Sequence, residues 1–410
     1  LGMGEAVSAA CAIFGTLNDA SLNEIYWLAA ADYSLLAATS SGIWRLYSAD
    51  GALSVGSIQA RKLDASGAAP IAPAVVGASV LYVDRAGNRV VGLSRDGLSA
   101  DLTSSDLSQN APHRTEQGIT GLCVTHSPTL RVWCRLRDGG LVTLDLGGAP
   151  QRLGWTGQAL AQGDSLVPVE VLGLSAAGRP ARSGLGVDDQ LWLVQQRYVE
   201  GRWVRTLEVL SDGMGFDDDG WPGHFLDSGM ISRLPLPTTT ITGLEHLAGQ
   251  SVRVRSLEGD LGSFVVAEDG SVTLPPAQMM LSVGLAYGSE VRLNDLNAGT
   301  SGGFSLTKAR HLFEVRFRVW RSGPFEVGAG EPEFGSAVLP ERSTDVEQRF
   351  WTVPTPEPHA GEAFPTAYTG DLRLRRDEGG WARSTALCWR SDGVDGLTIL
   401  GVGLRVAGGD

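Results

Sequence analysis

The chain has 410 residues, of which 43% are hydrophobic and 19% charged, with 54 glycines, 19 prolines and a net charge of −13. It is too long for one hydrophobic core and too apolar for a disordered chain, so two or three turn-rich β domains are expected. The acidic balance argues against a protein that grips nucleic acid by neutralising phosphates, though not against one that lets DNA slide past, and no apolar run reaches the ~18 residues of a membrane span.

The segment Leu1 to Leu17 is Ala-rich, but Glu5 interrupts it and it lacks a basic n-region, which argues against a signal peptide. The chain opens without Met and its first strand begins almost at once, so a processed or partial piece of a longer protein is expected.

From there to about residue 228, a short apolar strand, a Gly-centred turn and a second apolar strand recur. The pattern reads Leu35-Leu-Ala-Ala-Thr-Ser-Ser-Gly-Ile-Trp-Arg-Leu46, then Val80-Leu-Tyr-Val-Asp-Arg-Ala-Gly-Asn-Arg-Val-Val-Gly-Leu93, then Val132-Trp-Cys-Arg-Leu-Arg-Asp-Gly-Gly-Leu-Val-Thr-Leu144. A longer version runs from Leu191 to Leu207. The turn glycines Gly42, Gly87, Gly139 and Gly201 are 45, 52 and 62 residues apart, near the ~40 to 50 residue period of propeller blades, with the last intervals stretched by insertions. One hairpin cannot bury its own apolar face, so repetition predicts a stacked, propeller-like body over 1–228. Strands such as Ile119 to Thr125 alternate apolar and polar residues, and Asp-Gly and Gly-Asn turns separate them.

The loop Ser211 to His224 breaks the composition, with three consecutive carboxylates, Asp217, Asp218 and Asp219, among glycines. Either a solvated acidic loop or calcium ligation would use them, but the alternating oxygen spacing of a calcium loop is absent. Residues 229–303 read as a small β-barrel or sandwich of four or five short strands, closed by the linker-like Asn297 to Gly303. Residues 304–410 open on Leu312-Phe-Glu-Val-Arg-Phe-Arg-Val-Trp320, whose alternation predicts Phe313, Val315, Phe317 and Val319 on one face and Glu314, Arg316 and Arg318 on the other. That charged face suits solvent, a salt-bridged neighbour or phosphate. A long excursion from Pro324 to Pro365 follows, and the whole reads as a C-terminal β-sandwich. The predicted fold class is therefore all-β: a propeller-like body of repeated hairpins, a small β domain and a sandwich.

Signatures of chemistry are sparse. Walker loops, GxGxxG, GxSxG and HExxH do not occur, and the six histidines are scattered without ligand spacing, so no catalytic, metal or cofactor site is predicted. Cys11, Cys123, Cys134 and Cys388 are too few for a disulfide scaffold, although Cys123 and Cys134 are close enough in sequence to meet across a hairpin. A pair of carboxylates for glycoside hydrolysis leaves no local signature. Ser48-Ala-Asp50, Ser94-Arg-Asp96 and Ser211-Asp212 lack the continuation of an Asp-box and read as plain turns. Trp27, Trp44, Trp133, Trp155, Trp192 and Trp203 lie in or beside strands and are expected in the core. Trp221, Phe225, Phe350, Trp351 and Phe364 sit among Pro and Gly and are expected at subunit contacts, where aromatic residues anchor interfaces; sugar stacking would use the same residues.

Several of these segments, in this order, resemble the tail nozzle (tail tubular protein B type) and tail-hub proteins of bacteriophages. They are Leu22-Asn-Glu-Ile-Tyr-Trp-Leu28 with the first hairpin, Val132 to Gly139, Phe225-Leu-Asp-Ser-Gly229, Thr242-Gly-Leu-Glu-His-Leu-Ala-Gly-Gln-Ser-Val252, and Trp381 with Leu397-Thr-Ile-Leu400. The resemblance implies a non-enzymatic virion protein, assembled in the host cytoplasm into a homo-oligomeric ring, commonly of six copies, beside other tail or portal-adaptor proteins. Genomic DNA would leave through the ring without specific binding. Acidic walls, with Asp217, Asp218 and Asp219 as channel-lining candidates, would repel its phosphates. The alternative reading is a carbohydrate-binding or carbohydrate-active β-propeller, with Trp221 and the Asp217 to Asp219 loop near a sugar.

Overall fold

A computed structural model describes residues 15–17, 19, 24–31, 33–48, 53–54, 57–95, 102–147, 153–180, 186–210, 224–257, 259–293, 299–300, 303–304, 310–323, 325–330, 350–353, 368–375, 386–391 and 394–408. The fold is all-β: among the described residues the only helical segments are single 3-10 turns at Pro112–Arg114 and Glu245–Leu247. Two compact units divide the chain. The first takes residues 1–158, 169–197 and 205–210; the second takes 159–168, 198–204 and 211–410.

The first unit is built from successive antiparallel sheets in which neighbours in space are neighbours in sequence. Strands β1 (Ile25–Ala31), β2 (Ser34–Thr39), β3 (Gly42–Tyr47) and β4 (Gln59–Asp64) form the first sheet. The second comprises β5 (Ala74–Val76), β6 (Ser79–Val83), β7 (Val90–Arg95) and β8 (Leu102–Asp106), and the third β9 (Ile119–Thr125), β10 (Arg131–Leu136), β11 (Leu141–Asp145) and β12 (Gly154–Gln158). A three-stranded sheet follows, from β13 (Glu170–Pro180), β14 (Val187–Val199) and β15 (Arg202–Val209), of which residues 198–204 are counted with the second unit. Three of the four glycines of the sequence repeat, Gly87, Gly139 and Gly201, fall in the turn between the second and third strands of a sheet, whereas Gly42 opens the third strand of its own. At Gly87, Gly139 and Gly201 φ is +79°, +84° and +82°, a conformation that glycine adopts without the Cβ clash of other residues.

A second repeated device joins the second sheet to the third and the third to the sheet of β13, β14 and β15. The Ile119 N–H, which opens β9, donates to the Gly87 carbonyl at 2.6 Å, and the Val171 N–H, at the start of β13, donates to the Gly139 carbonyl at 2.8 Å. The turn of one middle hairpin is thus received by the first strand of the following sheet.

The second sheet is buried on both faces. Its residues Val80, Tyr82, Val91 and Leu93 pack with Trp27, Leu36, Ala38 and Ile43 of the first sheet, whereas Leu81, Val83 and Val90 pack with Val124, Val132, Cys134, Val142 and Leu144 of the third. Hence Val80 to Val83 is a continuous apolar run and not an alternating one. Each such side chain taken from water stabilises the stack by about 1.5 to 3 kcal/mol before entropy is counted. Trp27, Trp44 and Trp133 are buried as expected. Trp203, expected in the core, is 48% exposed, because it lies on the outward face of β15. No closed barrel or propeller ring is seen among the described residues.

In the second unit, β16 (Asp227–Ile241), β17 (Ser251–Ser256), β18 (Gly259–Val265) and β19 (Val272–Leu285) form a sheet in the order β16-β19-β17-β18, over a core that includes Leu244, Leu247, Val252, Val254, Leu281 and Val283. After it come β20 (Ser289–Arg292), β21 (Gly299–Thr300), β22 (Gly303–Phe304), β23 (Arg310–Ser322), β24 (Phe325–Gly330), β25 (Phe350–Val353), β26 (Tyr368–Arg375), β27 (Ala386–Ser391) and β28 (Ile399–Gly408). The β20-β27-β24-β25 and β26-β23-β28 sheets share one apolar cluster, in which Phe317 meets Phe325 and Trp389 edge-on with centroids 5.1 and 5.8 Å away. The long excursion after Pro324 returns as β25 beside β24, and β20, which precedes the linker-like stretch, pairs with β27.

The strict alternation expected of β23 fails at one point. A bulge lies between Leu312 and Glu314 in the pairing with β28, so Leu312 is buried at 4% exposure and Phe313 turns outward at 43%. Val315, Phe317 and Val319 face the core as the period of two demands.

Candidate functional site

The two motifs Phe225 to Gly229 and Thr242 to Val252 come together in the second unit. The strand entry is irregular: the β16 to β19 register shifts between Asp227 and Met230, and Ser228 has φ +50°. Gly229 must be glycine, since a Cβ there would collide with the Val283 carbonyl and the Gly284 backbone. That twist turns the Ser228 carbonyl toward His246, whose Nε2–H donates to it at 2.7 Å.

Both motifs also hold the segment 159–168. The Ala161 N–H donates to the Asp227 carboxylate at 2.7 Å, the Asp164 N–H donates to Gln250 Oε1 at 3.0 Å, and the Ser251 N–H donates to the Asp164 carboxylate at 2.7 Å. Gln250 is buried, and the Leu244, Leu247 and Val252 side chains beneath it belong to the unit's core. In each of these bonds a side-chain atom of Asp227, His246, Gln250 or Asp164 meets a backbone group of its own unit. Such a clasp offsets the cost of burying those amides, and its chemistry is architectural.

Elsewhere the titratable groups are dispersed. Among the described residues no group of three or more His, Cys, Asp or Glu side chains is arranged to hold a metal ion. Cys123 stands opposite Trp133 and Cys134 opposite Leu122, so the two thiols do not face each other across the hairpin. Both are free; burial pushes Cys123 up to about 12 and Cys134 higher, which leaves them as inert thiols at neutral pH. His224 is half-buried, its Nδ1 against the Ser282 hydroxyl, and loss of hydration lowers it to about 4. The buried Asp84 carboxylate accepts from the N–H groups of Asn88 and Arg89 and from the Arg89 guanidinium, closing the turn before Val90.

Of the aromatic residues expected at contacts, Phe225 is half-buried, with its ring against the backbone of Gly396. Phe350 and Trp351 open β25, opposite Gly328 and Val327; nothing is described of their side chains. Trp221, Phe364 and the carboxylates Asp217, Asp218 and Asp219 lie outside the described residues. An aromatic pair that the sequence did not single out is Tyr198 with Trp203, edge-to-face at 5.3 Å across the tip of the β14–β15 hairpin. The two-residue turn of Glu200 (φ +45°) and Gly201 (φ +82°), both left-handed, sets it up.

No family model matches the chain, and no curated protein matches it. Among solved structures it is similar to AofleA from Arthrobotrys oligospora, at 15% identity and a TM-score of 0.25, over 58% of this chain and 73% of that one. An overlap that slight carries neither fold nor function.

Proposed function

We propose that this chain is a structural, non-catalytic component of a bacteriophage tail, a nozzle, hub or adaptor ring that forms part of the channel for DNA ejection. The observation that carries the proposal is the clasp: motifs on which the resemblance rests, at Asp227 to Gly229 and Thr242 to Val252, meet through His246 and Ser228 and direct their polar atoms at backbone. Residues used in this way maintain a shape, and a scaffold is what such residues serve. The successive sheets of the first unit are, in this proposal, blades of a propeller-like body. The net charge of −13 suits a passage whose walls repel phosphate.

In the proposed assembly, about six copies close a ring in the virion tail by head-to-tail contacts, beside other tail or portal-adaptor proteins. Negative-stain imaging of the purified chain tests it: annular particles with a central pore are expected, and small particles without a pore would refute it.

A second reading, a carbohydrate-binding β protein, is favoured by one observation, the exposed Trp203 ring beside Tyr198, since such rings stack on sugars. A glycan array decides it: a specific hit lost in Trp203→Ala favours this reading, and a blank array removes it.

A further inference from the structure

We propose that the outer face of the β26-β23-β28 sheet is a contact site for the phosphodiester backbone of DNA. The choice of DNA rests on the channel reading above, in which this face is a local basic exception to an otherwise repelling acidic wall and touches the phosphates without reading sequence; the chemistry of the site rests on the sheet itself.

The central strand β23 presents Glu314, Arg316 and Arg318 on this face. Arg373 stands opposite Arg316 and Asp371 opposite Arg318 on one side, and Arg405 stands opposite Glu314 on the other. Directly paired residues project to the same side of a sheet, so these side chains share the face. Among the described side chains it therefore carries four arginines against two carboxylates, with Arg375 also opposite Glu314 in the register, a local surplus of positive charge on a chain whose total is −13.

The guanidinium groups are outermost. Arg316 and Arg318 side chains are 63% and 67% exposed, whereas the Glu314 side chain is 7% exposed. Glu314 accepts from Arg316 Nε at 2.5 Å and from Arg373 Nη2, and hydrogen bonds from Arg373 and Arg316 hold its carboxyl down to about 2. Asp371 receives the Arg318 fork at 2.7 and 2.9 Å. The carboxylates thus fix the planes of guanidinium groups whose remaining N–H donors face solvent, so less side-chain entropy is lost when an anion docks.

The floor beside them is flat. Gly403 and Gly401 on β28 stand opposite Arg316 and Arg318, and a Cβ added at Gly401 would meet nothing within 4 Å. A polymer backbone can lie close along this track, next to arginines spaced by about 7 Å, the two-residue repeat of a strand. Arginine binds phosphate oxygens bidentately. An acidic protein partner would instead want a buried apolar anchor at the centre of the face, where these two glycines and the guanidinium groups stand.

The test is fluorescence anisotropy of the full chain with a labelled duplex of about 30 base pairs, titrated between about 50 and 200 mM salt. The expected result is binding at low salt that weakens as salt rises, with the slope of log K against log salt reduced by about 2 in the double variant Arg318→Gln, Arg405→Gln. Arg316 and Arg373 are left in place so that Glu314 keeps its partners. Absence of binding at low salt, an unchanged slope in the variant, or equal affinity for poly-glutamate would overturn the proposal. Particle mass, measured on the same samples, separates the two claims. Loss of oligomers in the variant with DNA binding intact would make this face a contact between copies and overturn the site, whereas DNA binding by a strictly monomeric wild type would keep the site and remove the channel.

Discussion

The Nε2–H of His246 meets the Ser228 carbonyl at 2.7 Å, and that carbonyl is turned toward it by a left-handed φ of +50° at Ser228 itself. Strain in one segment is held in place by a donor in another, 18 residues later. Replacing His246 by Ala leaves the carbonyl without its partner and is expected to destabilise the second unit by about 1 to 3 kcal/mol. Gln, which keeps an N–H donor of similar reach, should restore part of that. Urea unfolding followed by tryptophan fluorescence measures both; equal midpoints for wild type and His246→Ala would contradict the clasp.

Two turn glycines with nearly the same backbone separate conformational strain from close approach. Gly139 has φ +84° and a Cβ there would lie 2.8 Å from the Glu170 backbone, whereas Gly201 has φ +82° and open space. Gly201→Ala should cost about 1 to 2 kcal/mol, the left-handed penalty alone. Gly139→Ala should cost about 3 kcal/mol or more, because the joint with the next sheet must shift. Similar losses of melting temperature in the two variants would show that the joint yields freely.

Burial of His224, which lowers it from 6.5 to about 4, makes stability depend on pH in a stated direction. Below pH 6.5 the unfolded chain takes up a proton that the folded chain refuses until about pH 4, so stability falls on acidification across that window, by about 3 kcal/mol. In His224→Gln the decline over the same window should flatten. Melting temperatures from pH 7 to 4 for both proteins give the answer, and parallel curves would exclude His224 as the source.

Phe317 closes the core shared by two sheets, edge-on to both Phe325 and Trp389. Its truncation to Ala should cost about 3 to 5 kcal/mol and Phe317→Leu less, since Leu refills much of the cavity. Chemical denaturation monitored by near-UV circular dichroism reads the difference. Equal stability of wild type and the Ala variant would mean that the two sheets do not depend on this contact.

The repeat of hairpins was legible because turn chemistry is local: Gly87, Gly139 and Gly201 mark equivalent turns in sequence and in space, and Gly42 follows directly on the corresponding turn of the first sheet. The stacking of sheets was not, because burial on both faces erases the alternation that would have shown which residue of Val80 to Val83 faces which neighbour. At Phe313 a bulge moved one residue out of phase, and bulges leave no mark in a hydrophobic pattern. The clasp motifs were visible as strings, but their purpose was hidden, since the segment 159–168 that they grip carries only common loop residues. For Glu314, buried beneath two arginines, the sequence showed an alternating charge and not its depth.

The mass of the particle in solution tests the central claim most directly. At micromolar concentration and physiological salt, mass photometry should find one closed species at a multiple of the 43.2 kDa chain mass, about six copies in the assembly proposed here. A single population at 43.2 kDa across the whole concentration range would contradict a ring and with it the tail role.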